Sequence, residues 1–359
     1  MKKVLVFLFI SCTLNTHVFA FEKLWYLKNE PRSMASFEKN ISKIDIVGPQ
    51  TYFLLENGEV GSVFPDKISQ LKKEKNQNLK VMPLLANITF YKDANGNQKE
   101  YFNQKLITNL LDTDNNWQKV SDYLRNEARK NNFYGWQLDL ENIPVEYNHA
   151  FIAFVKHLKS EFSKDGLKLS IAVVSKISDN PTDYEKSYWE NWAGAYDWKV
   201  LSESTDFLSI MTYDQPQSPG PVATIQWSKK VLDYAVATIP KEKISFGIPT
   251  YAWVYRSHEL QKGKKHFLMI DFGFVKPHLT SPYVRGGSSA TGTTGRGSSK
   301  FWGDISWVAY NYGGKNYTVW YEDKNSFSKK YEQLKSSGVR GFSVWVLGDE
   351  DEKVWELFN

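Results

Sequence analysis

Apolar residues along the chain gather into eight short runs, most of them separated by stretches with helical character. The runs predict strands over 23–26, 44–49, 79–85, 135–141, 167–174, 207–214, 244–251 and 341–348. Between the fourth and fifth, Phe151, Val155, Leu158 and Phe162 recur at helical spacing, with Lys159, Glu161 and Lys164 on the other side and Asp165-Gly166 as the stop. Ahead of the fourth, Trp117, Val120 and Leu124 keep the same spacing behind Asp114, an N-cap residue type. Strand–helix alternation repeated in this way predicts an α/β protein, a closed (β/α)8 TIM barrel, with a doubly wound open sheet as the alternative. The connection from the seventh run to the eighth is too long for one helix. It holds the strand-like piece Tyr317-Thr318-Val319-Trp320-Tyr321 and a Gly/Ser/Thr/Ala tract over 286–299, with Arg285 and Arg296 beside or within it. A small α+β insertion between strands 7 and 8, over about 253–335 and containing a mobile loop, is expected there.

The first residues change this picture. Lys2 and Lys3 precede an apolar run at 4–10 that is too short to span a bilayer, and Val18-Phe19-Ala20 loosely fits a small-x-small cleavage site. Residues 1–20 are therefore expected to be an export signal, and the rest a secreted or periplasmic protein. A lipoprotein anchored at Cys12, within Phe9-Ile10-Ser11-Cys12, is the less favoured variant. Cys12 is the only cysteine. Without the signal the chain has no disulfide or thiolate chemistry, and packing must hold it together. The net charge is +5, or +3 without Lys2 and Lys3, and the lysines and arginines are scattered. That argues against a nucleic-acid partner and is compatible with an acidic cell-wall polymer. No later segment is long and apolar enough for stable membrane insertion. Aromatic residues make up 15% of the chain. Most must be core, but flat rings also suit the axial C–H faces of pyranose sugars.

The fourth run carries the chemistry. In a strand over Trp136-Gln137-Leu138-Asp139-Leu140-Glu141, side chains alternate, so Gln137, Asp139 and Glu141 share one face and Trp136, Leu138 and Leu140 the other. The first face is expected to look into the barrel and its C-terminal mouth, where barrel enzymes hold their catalytic groups. Two carboxylates and an amide are costly to bury there without a chemical task. Neighbouring carboxylates resist double ionisation, so Glu141 can keep a proton for a leaving oxygen while Asp139 stays charged. A salt-bridged or capping pair is the bland alternative.

These residues resemble glycoside hydrolase family 18, the chitinase family, whose fourth strand reads Asp-Gly-x-Asp-x-Asp-x-Glu. Gly135, Asp139 and Glu141 match, and Tyr134 and Gln137 replace the first two aspartates. The substitution of an amide, and Asn142 after the Glu, most resemble the branch of bacterial spore-cortex-lytic enzymes and chitinase-domain proteins. Further resemblances follow in order: Pro49-Gln50-Thr51-Tyr52-Phe53 after the second strand, Met211-Thr212-Tyr213-Asp214, Gly247-Ile248-Pro249-Thr250-Tyr251, Trp320-Tyr321-Glu322-Asp323 and Trp345. The resemblance implies substrate-assisted retaining hydrolysis, in which the 2-acetamido carbonyl of the sugar attacks its own anomeric carbon. Glu141 would be the acid, Asp139 would orient the acetamido group, and the Tyr213 hydroxyl would bond its carbonyl. Asp214 would help hold the sugar over Trp345 as a floor, with Tyr26, Met211 and Gln137 as further substrate contacts. For Tyr213, Asp214 and Trp345 the bland alternative is ordinary core packing.

His149, His157, His258, His266 and His278 show no metal-ligand spacing, and there is no GxSxG, P-loop or dinucleotide motif, so no metal or cofactor is implied. Three functions stay open: a glycosidase acting on β-linked N-acetylglucosamine-containing glycans, of chitin or peptidoglycan type; a silent or weakly active lectin-like glycan-binding protein, since Gln137 cannot share a proton; and a partner-binding role through the insertion.

Overall fold

The computed structural model describes residues 20–96, 98–113, 115–216, 220–256, 267–270, 294–296, 305–312 and 315–358. The expected export signal with Cys12, except Ala20, lies outside these residues, and so does Asp114.

Eight parallel strands form the centre: β1 (Glu22–Leu27), β2 (Ile46–Leu54), β3 (Leu84–Ala86), β4 (Gly135–Asp139), β5 (Lys168–Val174), β6 (Phe207–Met211), β7 (Ile244–Pro249) and β8 (Gly341–Trp345). Each pairs with its sequence neighbours, and Leu24 of β1 lies in register with both Ile46 of β2 and Ser343 of β8, which closes the ring. Closure excludes the open doubly wound sheet, and the fold is the (β/α)8 barrel. Alternation sorts the side chains. Trp25, Leu27, Trp136, Leu138, Phe342 and Val344 point outward into the main core beneath the helices. Leu24, Tyr26, Ile46, Met82, Leu84 and Phe207 fill the barrel interior. Gly135 opens β4 because a Cβ there would stand 2.0 Å from the Lys168 carbonyl oxygen of β5.

The strands are shorter than the apolar runs. The third run breaks into Lys80–Val81 and Leu84–Ala86 around Pro83, which has no N–H to give. β4 stops at Asp139, β6 at Met211 and β8 at Trp345, so the last residues of those runs belong to the loops at the mouth. The helix Asn148–Ser163 buries Phe151, Val155, Leu158 and Phe162 as its spacing predicts, and Gly166 turns the chain at φ 69°. Glu161, expected on the outer side, is buried instead, where Arg125 meets it at 3.1 Å. Val120 and Leu124 of the helix Asn115–Asn131 are likewise buried, and Trp117 is partly so.

Between β7 and β8 the described residues form a five-stranded antiparallel sheet of Phe267–Ile270, Ala252–Arg256, Lys315–Tyr321, Ser306–Tyr312 and Thr294–Arg296, in that order. The tract over 286–299 lies outside the described residues except for Thr294–Arg296. The helix Lys324–Ser337 follows this sheet, capped by the Asp323 side chain, and packs on β7 and β8. No helix among the described residues is long and apolar enough to cross a membrane.

Candidate active site

Gln137 and Asp139 of β4 point into the barrel, as alternation predicts, and both are buried. Glu141 lies just beyond the strand end, and its backbone is held on both sides by Asn87, which leaves β3 next door. The Glu141 N–H donates to Asn87 Oδ1 at 2.9 Å, and Asn87 Nδ2 donates to the Glu141 carbonyl at 2.8 Å. The Tyr196 hydroxyl donates to the Leu140 carbonyl one residue earlier. Asn142 then takes a left-handed turn at φ 56°, a conformation asparagine tolerates better than most residues. The chain is steered away at once, and the Glu141 carboxyl remains in the mouth.

There a cavity of about 400 Å³ brings together Tyr26, Asp139, Glu141, Met211, Tyr213, Asp214 and Trp345, which come from four different strands or their ends. Gln137 is the correction. It was expected to touch substrate, but it lies fully buried, donating to the Tyr26 hydroxyl, and it does not line the cavity. Trp345 ends β8 beside Pro249 and is half-buried, with its ring 5.5 Å from that of Tyr26. The Trp345–Val346 peptide bond is cis. Strand alternation stops there too: it would turn Val346 outward with Phe342 and Val344, but Val346 packs with the interior cluster. Tyr213 stands against Gly247, where a Cβ would come 2.5 Å from the Ile210 carbonyl and 3.0 Å from the Tyr213 ring. Asp214, in a left-handed turn at φ 55°, accepts from the Tyr251 hydroxyl.

Charge is poised in this cavity. The Asp139 and Glu141 carboxyls share a hydrogen bond. Burial pushes both above the usual carboxylate range. Glu141 is pushed further by the charges of Asp139 and Asp214, while the hydrogen bond favours the charged form of Asp139. Together the two carboxyls hold a proton more tightly than a lone carboxylate does. Glu100 adds a smaller upward push on Asp139. Asp214 is lifted to about 6, mainly by the protein crowded around it, with the Tyr251 hydroxyl pulling the other way. It still faces solvent, which weakens that lift. Burial raises the Tyr213 hydroxyl further, so it stays a donor. Among the described residues no group of three or more His, Cys, Asp or Glu side chains is placed to hold a metal.

The sequence pattern gave no role to Asn87, Lys28, Glu100, Tyr188 or Trp192, although the last four line the cavity. Lys28 and Asn87 sit between elements, Glu100 in the short strand Gln98–Phe102, and Tyr188 and Trp192 in short helical turns, all outside the strand and helix patterns that the sequence displays. Only Asn87 had a signal, as a polar residue directly after an apolar run.

Comparison with known proteins adds the family. The model of glycosyl hydrolases family 18 matches residues 4–351. The protein named uncharacterized glycosylase YvbX of Bacillus subtilis is 23% identical over 337 residues, 93% of this chain and 89% of that protein. The cortical fragment-lytic enzyme of Bacillus subtilis is 22% identical over 300 residues, 79% of this chain but 60% of that longer relative. Among solved structures, a chitinase from Chromobacterium violaceum superposes with a TM-score of 0.75 at 22% identity, over 94% of this chain and 97% of that one.

Proposed function

The chain belongs to the glycosyl hydrolases of family 18, and from that premise we propose that it cleaves β-linked N-acetylglucosamine-containing glycans, of chitin or peptidoglycan type, by substrate-assisted retaining hydrolysis. The observation that carries the proposal is the buried Asp139–Glu141 carboxyl pair at the barrel mouth, both held above the usual carboxylate range by burial, and on this reading the pair's proton is on Glu141 in the free enzyme. Glu141 gives that proton to the glycosidic oxygen as the bond to the anomeric carbon breaks. The 2-acetamido carbonyl oxygen of the same sugar forms the new bond to that carbon, giving a cyclic oxazolinium-type intermediate. Asp139, relieved of its hydrogen bond to Glu141, takes the acetamido N–H and balances the positive charge. The Tyr213 hydroxyl donates to the acetamido carbonyl and aligns it for attack. Water then opens the ring, losing its proton to Glu141, with net retention.

The test is Glu141→Gln, a nearly isosteric change that removes the transferable proton. With N-acetylglucosamine oligomers and peptidoglycan as substrates and products read by mass, turnover should fall about 10²–10⁴-fold while fold and sugar binding persist. Normal turnover by the folded variant rules Glu141 out as the acid.

A second reading draws on Gln137, which cannot share a proton with Asp139 from below: a glycan-binding protein with little or no turnover. Oligomer binding by the wild type with no products in the same assay supports that reading. We also propose that residues 1–20 direct export and are removed. N-terminal sequencing of the mature protein from its native host checks this.

A further inference from the structure

The cavity over Asp139 and Glu141 continues past Lys28 and Glu100. A groove of about 1060 Å³ opens beside it, bounded by the end of β2 and by the hairpin of Ile88–Lys92 and Gln98–Phe102, and Lys28, Gln50, Ile88 and Glu100 line both spaces. Among the described residues lining the catalytic cavity, Lys28 is the one cation, against Glu100, Asp139, Glu141 and Asp214. It stands apart from Asp214, which follows β6: Lys28 follows β1, whose neighbours are β2 and β8. Its ammonium lies 5.4 Å from the centroid of the Trp345 ring, within reach of a substituent on a sugar resting there. Register sets Leu27 beside Pro49, so Lys28 leaves β1 next to Gln50 of β2. The partner of Lys28 is Glu100, at 3.6 Å, with side chains 27% and 40% exposed. An ion pair that long and that wet holds its partners weakly, whereas a ligand carboxylate docked under a glycan would be shielded from water and bound more strongly. Lys99 lines the groove with Lys28, as do Glu30, Glu56 and Glu100.

We propose that Lys28 is a specificity residue that binds the carboxylate of an acid-ether substituent on a sugar at or beside the cleavage point. The preferred substrate is then an acidic N-acetylated glycan, such as a peptidoglycan strand whose alternate sugars carry 3-O-lactyl groups, over neutral chitin. This rests on the glycan-hydrolase reading above and narrows its substrate. On binding, the ligand carboxylate displaces Glu100 from Lys28.

Binding by the Glu141→Gln protein tests it without turnover. The ligands are peptide-free peptidoglycan tetrasaccharides and the same compounds with each lactyl carboxylate converted to a methylamide, titrated calorimetrically. The carboxylate form should bind about tenfold more tightly, in line with one charge-assisted hydrogen bond. Adding Lys28→Gln should erase that preference, and adding Lys28→Arg should keep it. Equal affinity for the two ligands, a preference that survives Lys28→Gln, or no binding of either overturns the inference. Wild-type turnover of N-acetylated oligomers is read separately. A carboxylate preference without turnover keeps the site and removes the hydrolase, and turnover without the preference does the reverse.

Discussion

Asp139 is asked to be charged in a place that resists charge. Its folded pKa lies above the unfolded value, chiefly through burial, so the folded protein holds the proton more tightly than the unfolded chain. The sign follows: stability is greatest below the ordinary carboxylate range and falls as pH climbs through the raised value. Asp139→Asn removes that burden. The variant should melt roughly 2 °C or more above the wild type at pH 8 and show no gain at pH 4; a melting difference independent of pH contradicts the assignment. The same change should lower turnover about 100-fold or more and abolish the acidic limb of the pH–rate profile, because the orienting charge is gone. If the wild type cleaves plain glucans as fast as N-acetylated ones, the acetamido group takes no part and Asp139 has no such task. Trp345 makes a different forecast. It is half-buried on the cavity wall, so Trp345→Ala should weaken oligosaccharide binding by up to about tenfold. The stability loss should stay under the roughly 3–5 kcal/mol of a dry-core Trp→Ala. A large fall in melting temperature with unchanged affinity would make it a core residue.

At the scale of elements, the site is made by where strands stop. β4 and β6 both end two or three residues before the side chains they deliver, and Asn142 and Asp214 turn left-handed there, at φ 56° and 55°. Such turns cost about 1–3 kcal/mol each and persist only where surrounding contacts hold them. Asn87, at the junction of β3 and the hairpin, is one of those contacts through its two hydrogen bonds to the Glu141 backbone. Asn87→Ala should therefore cost about 1–3 kcal/mol and lower kcat more than it raises KM, since Glu141 loses its setting while the sugar floor on β8 stays. Chemical denaturation and steady-state kinetics on one preparation check both. A loss confined to KM would mean that Asn87 acts on the substrate instead.

On the scale of the whole molecule, the antiparallel sheet between β7 and β8 is part of the site's support. Trp253 and Tyr255 cluster with Tyr251 and Val222, and Tyr213, Trp320 and Trp345 pack against them. Replacing 253–321 by a short linker, which spares the barrel helix Lys324–Ser337, should then reduce sugar affinity and turnover together. Full turnover with only a lost protein partner would return the insertion to a separate binding role.

The barrel itself was legible because its signals are local. Eight apolar runs, the helical spacing of Phe151 to Phe162, and period-two alternation around Asp139 each follow from backbone geometry that neighbouring residues impose. The pairing of Asp139 with Glu141 was legible for the same reason, and the resemblance carried Tyr213, Asp214 and Trp345 to positions that do meet in one cavity. What a residue touches across the barrel was not legible. Gln137 reads like a substrate contact and is closed under Tyr26, Val346 reads as outward and packs inward, and Glu161 reads as exposed and is buried beside Arg125. Asn87 and Lys28 carry no periodic signal at all. Those outcomes depend on how strands distant in sequence close into a ring and on where each loop then turns, and only the tertiary structure decides that.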